Sequence, residues 1–294
     1  SIKRVTAPVA YWTGIWNTSV TDRFWINTNY NVAGGTWNYN IAAWEDGKTY
    51  LVEVYAEDKH GNTQTVLGTK QFVFDQTAPA GAVTSPADGS NVNALTAVVG
   101  TSVDASSQVS TVKIALQDFT SSEYWDDAQS KFTASGTPLW ITVFSGAPSA
   151  SVNWTYNKPA MNGKMTDMHT YKAWVKSTDN ADNTEADTVR SAFTFDDPIL
   201  GKPLSAVSTP PFADTSNPTP YNGNPKKISG NASDNIAVGF IDVSMRDENT
   251  GNYYKSGDGA IFTGVAEEWI RAANTLSWEL TSPTWTNGHT YSVR

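Results

Sequence analysis

Short runs of β-branched and aromatic residues, separated by Gly, Asn, Asp and Pro, recur along all 294 residues of the chain. This is the pattern of an all-β protein. In the central stretch the runs at 95–99, 112–116, 140–144, 171–175 and 192–195 predict strands. Polar and apolar residues alternate most clearly in the fourth, which puts Tyr171, Ala173 and Val175 on one face. No segment has the period of an amphipathic helix, and a single helical turn is expected only around 265–273. No apolar run approaches the roughly 18 residues of a membrane span, so this segment is expected not to insert into a membrane.

The pattern repeats. Tyr50, Tyr171 and Tyr291 each follow Thr and open an alternating run, at spacings of 121 and 120 residues. Phe72-Val73-Phe74-Asp75 matches Phe193-Thr194-Phe195-Asp196, again 121 apart. Trp37, Trp154 and Trp278 precede the three tyrosines by 13, 17 and 13 residues. The run at 112–116 has a partner at 241–245, and the aromatic pairs Tyr124-Trp125 and Tyr253-Tyr254 follow them, with Tyr11-Trp12 as the first copy. One period shared by several anchors predicts three repeats of about 120 residues. Residues 1–78 form a repeat lacking its first strands, 79–199 a complete one, and 200–294 one lacking its last strands. The Pro-, Ser- and Thr-rich stretch 201–225 reads as an extended lead-in.

About seven short strands in such a length predict a two-sheet sandwich. The recurring tyrosine fits a tyrosine corner, its ring packed inside and its hydroxyl bonded to backbone at the preceding turn. The in-phase Trp37, Trp154 and Trp278 are expected to fill the sandwich cores.

These motifs, with the Asp-to-Asn turns at 58–62 and 179–183 and the Thr77-Ala78-Pro79 junction, resemble the tandem bacterial immunoglobulin-like repeats of surface proteins and large adhesins. The resemblance implies tandem immunoglobulin-like β-sandwiches in an extracellular, rod-forming and non-enzymatic protein of the cell surface, often with calcium between domains. In such a sandwich the second-to-third and sixth-to-seventh strand loops lie at the end where the preceding domain enters. That would gather Asp104, Asp179 and Asp182 with Asp75 of the preceding repeat. Carboxylates converging there would repel unless a cation neutralised them, and calcium accepts six to eight oxygens from irregular loops. A second group, Asp196, Asp197 and Asp234, is expected in the corresponding place one repeat later.

Composition narrows the remaining choices. Twenty basic against 29 acidic side chains leave a net charge of −9, which repels phosphate backbones, so nucleic acid is not an expected partner. The absence of cysteine excludes thiol chemistry and thiolate metal sites. The chain opens Ser1-Ile2-Lys3, without an initiator Met or an apolar signal segment, and reads as a mature or internal piece of something longer. His169 and His289 share a turn position that Lys48 fills in the first copy, which argues against a catalytic imidazole; His60 lies in a turn. No nucleophile elbow, zinc-helix motif or phosphate loop is present, and the adjacent carboxylates Asp126-Asp127 and Glu267-Glu268 would point to opposite faces of a strand. Trp12, Trp16, Trp25, Trp125, Trp140 and Trp269 are further aromatics suited to packing, lateral assembly or stacking on sugars. The expected partners are therefore copies of itself or neighbouring repeats, with surface polysaccharide as an alternative. The functional alternatives are an adhesin stalk or a carbohydrate-binding accessory region of a secreted polysaccharide-degrading enzyme.

Overall fold

The computed structural model describes residues 1–41, 43–210, 227–256, 261–281 and 283–294. Contacts divide the chain into two units, Ser1–Met165 with His169–Phe195, and Thr166–Met168 with Asp196–Arg294. Most of the lead-in expected at 201–225, from Pro211 on, lies outside the described residues.

The first part of unit 1 contains β1 (Ile2–Arg4), β2 (Ala10–Trp12), β3 (Trp16–Asn17), β4 (Asn29–Asn31), β5 (Thr36–Asn38), β6 (Lys48–Val54) and β7 (Gly68–Phe74). They form a sheet in the order β3-β2-β1-β6-β7 and a separate hairpin, β4-β5. The second part contains β8 (Ala80–Ser85), β9 (Asn91–Val92), β10 (Ala97–Val103), β11 (Val109–Asp118), β12 (Glu123–Asp126), β13 (Lys131–Ala134), β14 (Ile141–Ser149), β15 (Ser151–Asn157), β16 (Thr170–Asp179) and β17 (Thr188–Phe195). Here a sheet β15-β10-β8 lies against a sheet β13-β12-β11-β16-β17-β9, with β14 also on β11. The pairing of β9 with β17 is parallel. Unit 2 contains β18 (Leu204–Thr209), β19 (Lys227–Ser233), β20 (Asp242–Val243), β21 (Met245–Asp247), β22 (Tyr253–Tyr254), β23 (Phe262–Gly264), β24 (Ile270–Arg271), β25 (Ser277–Thr281) and β26 (Tyr291–Val293). Its sheets run β18-β19-β25, β20-β24 and β23-β22-β21-β26. Among the described residues the only helix is a 3-10 turn, Pro159–Lys164. The helical turn expected around 265–273 is instead bend and strand, because Ile270 and Arg271 pair with Val243 and Asp242.

Alternation along β16 buries Tyr171, Ala173 and Val175 as the sequence predicts. They face Val98 of β10 and Val152, Trp154 and Tyr156 of β15 across one core that also holds Val112, Ile114 and Leu116 of β11. Ser102 and Ser177 share a 2.8 Å hydrogen bond between the two sheets. A separate core in unit 2 gathers Ile228, Val243, Met245 and Trp278.

Two glycines make these cores close. Gly100 on β10 pairs with Trp154 on β15, and Gly230 on β19 pairs with Trp278 on β25. The indole lies directly against the glycine: a Cβ added at Gly100 would meet Ala82 O at 2.0 Å and Trp154 Cζ2 at 2.2 Å, and one at Gly230 would meet Ala206 O at 1.9 Å and Trp278 Cζ2 at 2.4 Å. Trp154 and Trp278 are accordingly 2% and 3% exposed.

Trp37 departs from the core role expected for it: it is 45% exposed, on the β4-β5 hairpin. The physical reason is that Trp37 borders an open cleft shared with Ile2, Val52 and Val54, and its strand pairs only with β4, so no glycine-bearing strand closes on it among the described residues. Trp44 serves the first core instead, with its ring centroid 4.7 Å from Tyr50 and 5.2 Å from Phe72. Trp285 stands 4.7 Å from Tyr291 in the same edge-on arrangement, and buried Met165 precedes Tyr171 by the same six residues. The tyrosine hydroxyls behave as corners. Glu45 N–H donates to the Tyr50 hydroxyl at 2.8 Å, and Thr286 N–H to that of Tyr291 at 2.7 Å.

Candidate metal centre

The turn from Asp179 to Asn183 closes on its own first residue. Asp179 Oδ1 accepts the N–H groups of Ala181 and Asn183, each at 2.8 Å, and Asp179 Oδ2 accepts Asn183 Nδ2 at 2.8 Å. The turn at Asp58 has the same bonds from His60 and Asn62. Those bonds, the Asn62 side chain first, hold the Asp58 carboxyl below its ordinary range. Turn formation alone therefore accounts for an aspartate at this position.

What distinguishes Asp179 is its company. Asp104, in the β10–β11 loop, accepts the N–H groups of Ser106, Ser107 and Gln108 on Oδ1, at 3.1, 2.9 and 2.7 Å. Ser107 N–H also donates to Asp75 Oδ2 at 3.1 Å, and Asn183 Nδ2 donates to Asp75 O at 3.0 Å. Asp75, Asp104 and Asp179, all buried, each bring a carboxylate oxygen within 4.8 Å of the others. Among the described residues no Lys, Arg or His forms an ion pair with any of the three. Each pair of charges at that separation repels by roughly 3 kcal/mol at an effective dielectric of about 20.

Asp182 does not join them. It occupies the left-handed position of the turn (φ 68°) and is exposed, and the turn presents Asn183 to Asp75 in its place. In unit 2 the expected Asp196, Asp197 and Asp234 lie near enough for their charges to act on one another, and a fourth carboxylate stands with them. Asp197 Oδ1 caps the N–H groups of Ile199 and Leu200, and Asp234 Oδ1 those of Ile236 and Ala237. Asp167, which the sequence reasoning missed, accepts Asp197 N–H at 2.8 Å and Asn235 Nδ2 at 3.1 Å. Burial, followed by the charges of Asp234, Asp167 and Asp197, pushes the Asp196 carboxyl above its ordinary range. Asp46 is the counterpart of Asp167 in unit 1, receiving Gln76 N–H at 2.6 Å and the Thr77 hydroxyl at 2.5 Å.

The two turn histidines have partners that the repeat pattern did not reveal. His169 Nδ1 lies 2.8 Å from Asp118 Oδ2, and His289 Nδ1 lies 2.8 Å from Asp247 Oδ2. Strand register places Arg4 where the other copies have these aspartates, each opposite the corner tyrosine. The first copy thus exchanges both members of the pair, Lys48 for His and Arg4 for Asp, and Arg4 turns to Glu45. Burial works against the Asp247 charge. The His289 contact and the N–H groups of Asn249 and Thr250 outweigh it, and the carboxyl lies below its ordinary range. A carboxylate with a depressed folded value supports folding above the unfolded value of about 4 and loses that support as pH falls through the folded one. Urea midpoints of unit 2 are therefore expected to fall on acidification below pH of about 4, and Asp247→Asn to flatten that dependence; equal slopes would refute the assignment.

A three-stranded sheet packed on a sheet built around β11, β16 and β17, with the buried Tyr171 opening β16, defines an immunoglobulin-like sandwich. Residues 34–123 match the family described as bacterial Ig-like domain (group 3). That span covers Asp75 and Asp104 and runs through the junction at 78/79. No curated protein matches the chain. Among solved structures the chain is similar to the fibronectin(III)-like modules of Clostridium thermocellum CbhA, at 13% identity and a TM-score of 0.29, over 73% of this chain and 84% of that one. It is also similar to native alpha-2-macroglobulin of Escherichia coli spanning domains MG0-NIE-MG1, at 10% identity and a TM-score of 0.27, over 81% and 76% of the two chains.

Proposed function

We propose that this chain is a non-enzymatic structural segment of an extracellular surface protein, its tandem repeats (1–78, 79–199 and 200–294) joined in series into a rod or filament and stiffened by calcium where one repeat enters the next. The observation that carries the reading is the trio Asp75, Asp104 and Asp179. Asp75 follows the last strand of the first repeat, while the other two belong to loops of the second. Calcium binds oxygen at 2.3–2.6 Å, so two ligands of one ion lie up to about 5 Å apart, which fits the 4.8 Å grouping. Three carboxylates without a cationic side chain form the hard-oxygen donor set that this ion prefers. With Asp75, Asp104 and Asp179 holding it, the ion would tie the two repeats together and remove their mutual repulsion.

The test is thermal unfolding with and without calcium. Saturation at about a hundred times the dissociation constant stabilises the folded state by roughly 2.7 kcal/mol, so the unit 1 midpoint is expected to rise and to return with chelator. Asp104→Asn keeps an oxygen for the three N–H groups and removes one charge, and should abolish most of the rise. An unchanged wild-type midpoint at calcium concentrations of about 10 mM, above the range of weak extracellular sites, would sink the reading.

A further inference from the structure

The outer face of the β11-β16 pair, turned away from the core of the second sandwich, combines lysines with indoles. Register sets Lys113 directly across from Lys176, Ala115 across from Trp174, and Gln117 across from Lys172. These positions alternate with Ile114, Leu116, Ala173 and Val175 of the core, so they face outward. Trp140 precedes Ile141, the partner of Ile114, and so extends the row of Ala115 and Trp174 on its other side. Lys176 Nζ stands 5.2 Å from the centroid of the Trp140 ring, and Lys172 Nζ lies 3.1 Å from that of the exposed Phe119. Two indoles astride a small residue thus lie between two rows that carry lysine, and Lys172 and Lys176 are about 14 Å apart along their strand. Lys176 meets Asp187 at 2.6 Å, but among the described residues neither Lys113 nor Lys172 forms an ion pair. Like charges set directly opposite one another weaken a sheet, so Lys113 beside Lys176 is not explained by stability.

We propose that this face of the second sandwich binds an acidic polysaccharide, one whose sugar rings carry carboxylates. Two features commit to that occupant. Lysines without carboxylate partners, on a chain of net charge −9, call for negative charge from outside. The half-buried indoles of Trp140 and Trp174 call for a flat, largely apolar ring. A uronate sugar supplies both: its ring face can lie on an indole while its carboxylate reaches a lysine in the row on either side. An acidic peptide would supply charge without the ring, and a neutral glycan the ring without charge. Duplex nucleic acid, with a charge for about every 1.7 Å, is far denser in charge than this lysine spacing answers. The face is particular to the second copy. At the places of Lys172, Trp174 and Lys176 the first copy has Leu51, Glu53 and Tyr55, and at the place of Lys113 the third has Asp242, bonded to Arg271. The proposal does not depend on calcium, and its failure would leave the cation reading untouched.

The experiment titrates the full chain with a size-defined oligogalacturonate by calorimetry, with chelator present so that calcium bridges neither partner. Saturable binding that weakens as salt is added is expected. Lys113→Glu combined with Lys172→Glu should weaken it by about tenfold or more. Lys113 is exposed and Lys172 half-exposed, and a glutamate at 113 would face Lys176. The variant should therefore match or exceed the parent in its urea midpoint, so lost binding is read on a folded protein. Absence of binding would overturn the proposal, as would binding indifferent to the two substitutions. Equally tight binding of the carboxyl-reduced oligomer would overturn it by making charge irrelevant, and equally tight binding of oligoglutamate by making the sugar ring irrelevant. So would Lys113-dependent self-association of the chain alone in sedimentation equilibrium, since that assigns the face to a second copy.

Discussion

Alanine at position 100 is expected to destabilise the second sandwich by about 3 kcal/mol, near the top of the range for overpacking a filled core. The added methyl would lie 2.0 Å from Ala82 O and 2.2 Å from Trp154 Cζ2. The first of these atoms is backbone in the β8-β10 ladder, so relief requires the strands to part. Trp154 cannot withdraw either, because it is 2% exposed and enclosed by the core. Gly136 meets nothing within 4 Å and serves as the control, with Gly136→Ala expected to change stability by less than about 0.5 kcal/mol. Urea midpoints at constant slope provide the measurement. If Gly100→Ala and Gly136→Ala were alike, the glycine–tryptophan contact would not be what sets the sheet spacing.

The second large effect separates two tryptophans that sequence phase treats wrongly. Trp44→Ala removes a ring packed against Tyr50, Phe72, Phe74 and Trp16 and is expected to cost about 3 kcal/mol. Trp37→Ala removes a ring 45% exposed on a hairpin and should cost less than about 1 kcal/mol. Paired melts followed by circular dichroism decide the matter. The reverse ranking would restore Trp37 to the core.

Much of the fold was legible because strand alternation and the repeat period follow directly from residue type. The register of β6, β16 and β26 places Tyr50, Tyr171 and Tyr291 in equivalent positions, and Tyr11, Tyr124 and Tyr253 pair with equivalent residues of β1, β11 and β21. Phase could not say what lies opposite a residue in space. Trp37 keeps its place in the repeat but has no glycine-bearing partner. The Trp44, Met165 and Trp285 position was missed because one copy carries Met. In the candidate metal centre, topology led to Asp75, Asp104 and Asp179, whose loops converge. Asp182 stays apart because it takes the left-handed position of its turn, which presents Asn183 to Asp75 instead. Asp167 lies ahead of the tyrosine, outside the loops considered, although its match to Asp46 at the shared spacing could have found it.

The parallel pairing of β9 with β17 bears on how the second sandwich would respond to tension. Asn91 and Val92 lie beside Thr194 and Phe195, and Gly89 N–H to Ala192 O, Ala192 N–H to Asp88 and Thr194 N–H to Ser90 O extend the seam. A pull toward the chain's two directions drags these strands past one another lengthwise, so the seam's hydrogen bonds share the load together and do not peel in turn. Loaded in this direction, the second sandwich is expected to yield in one step as the seam's bonds part together.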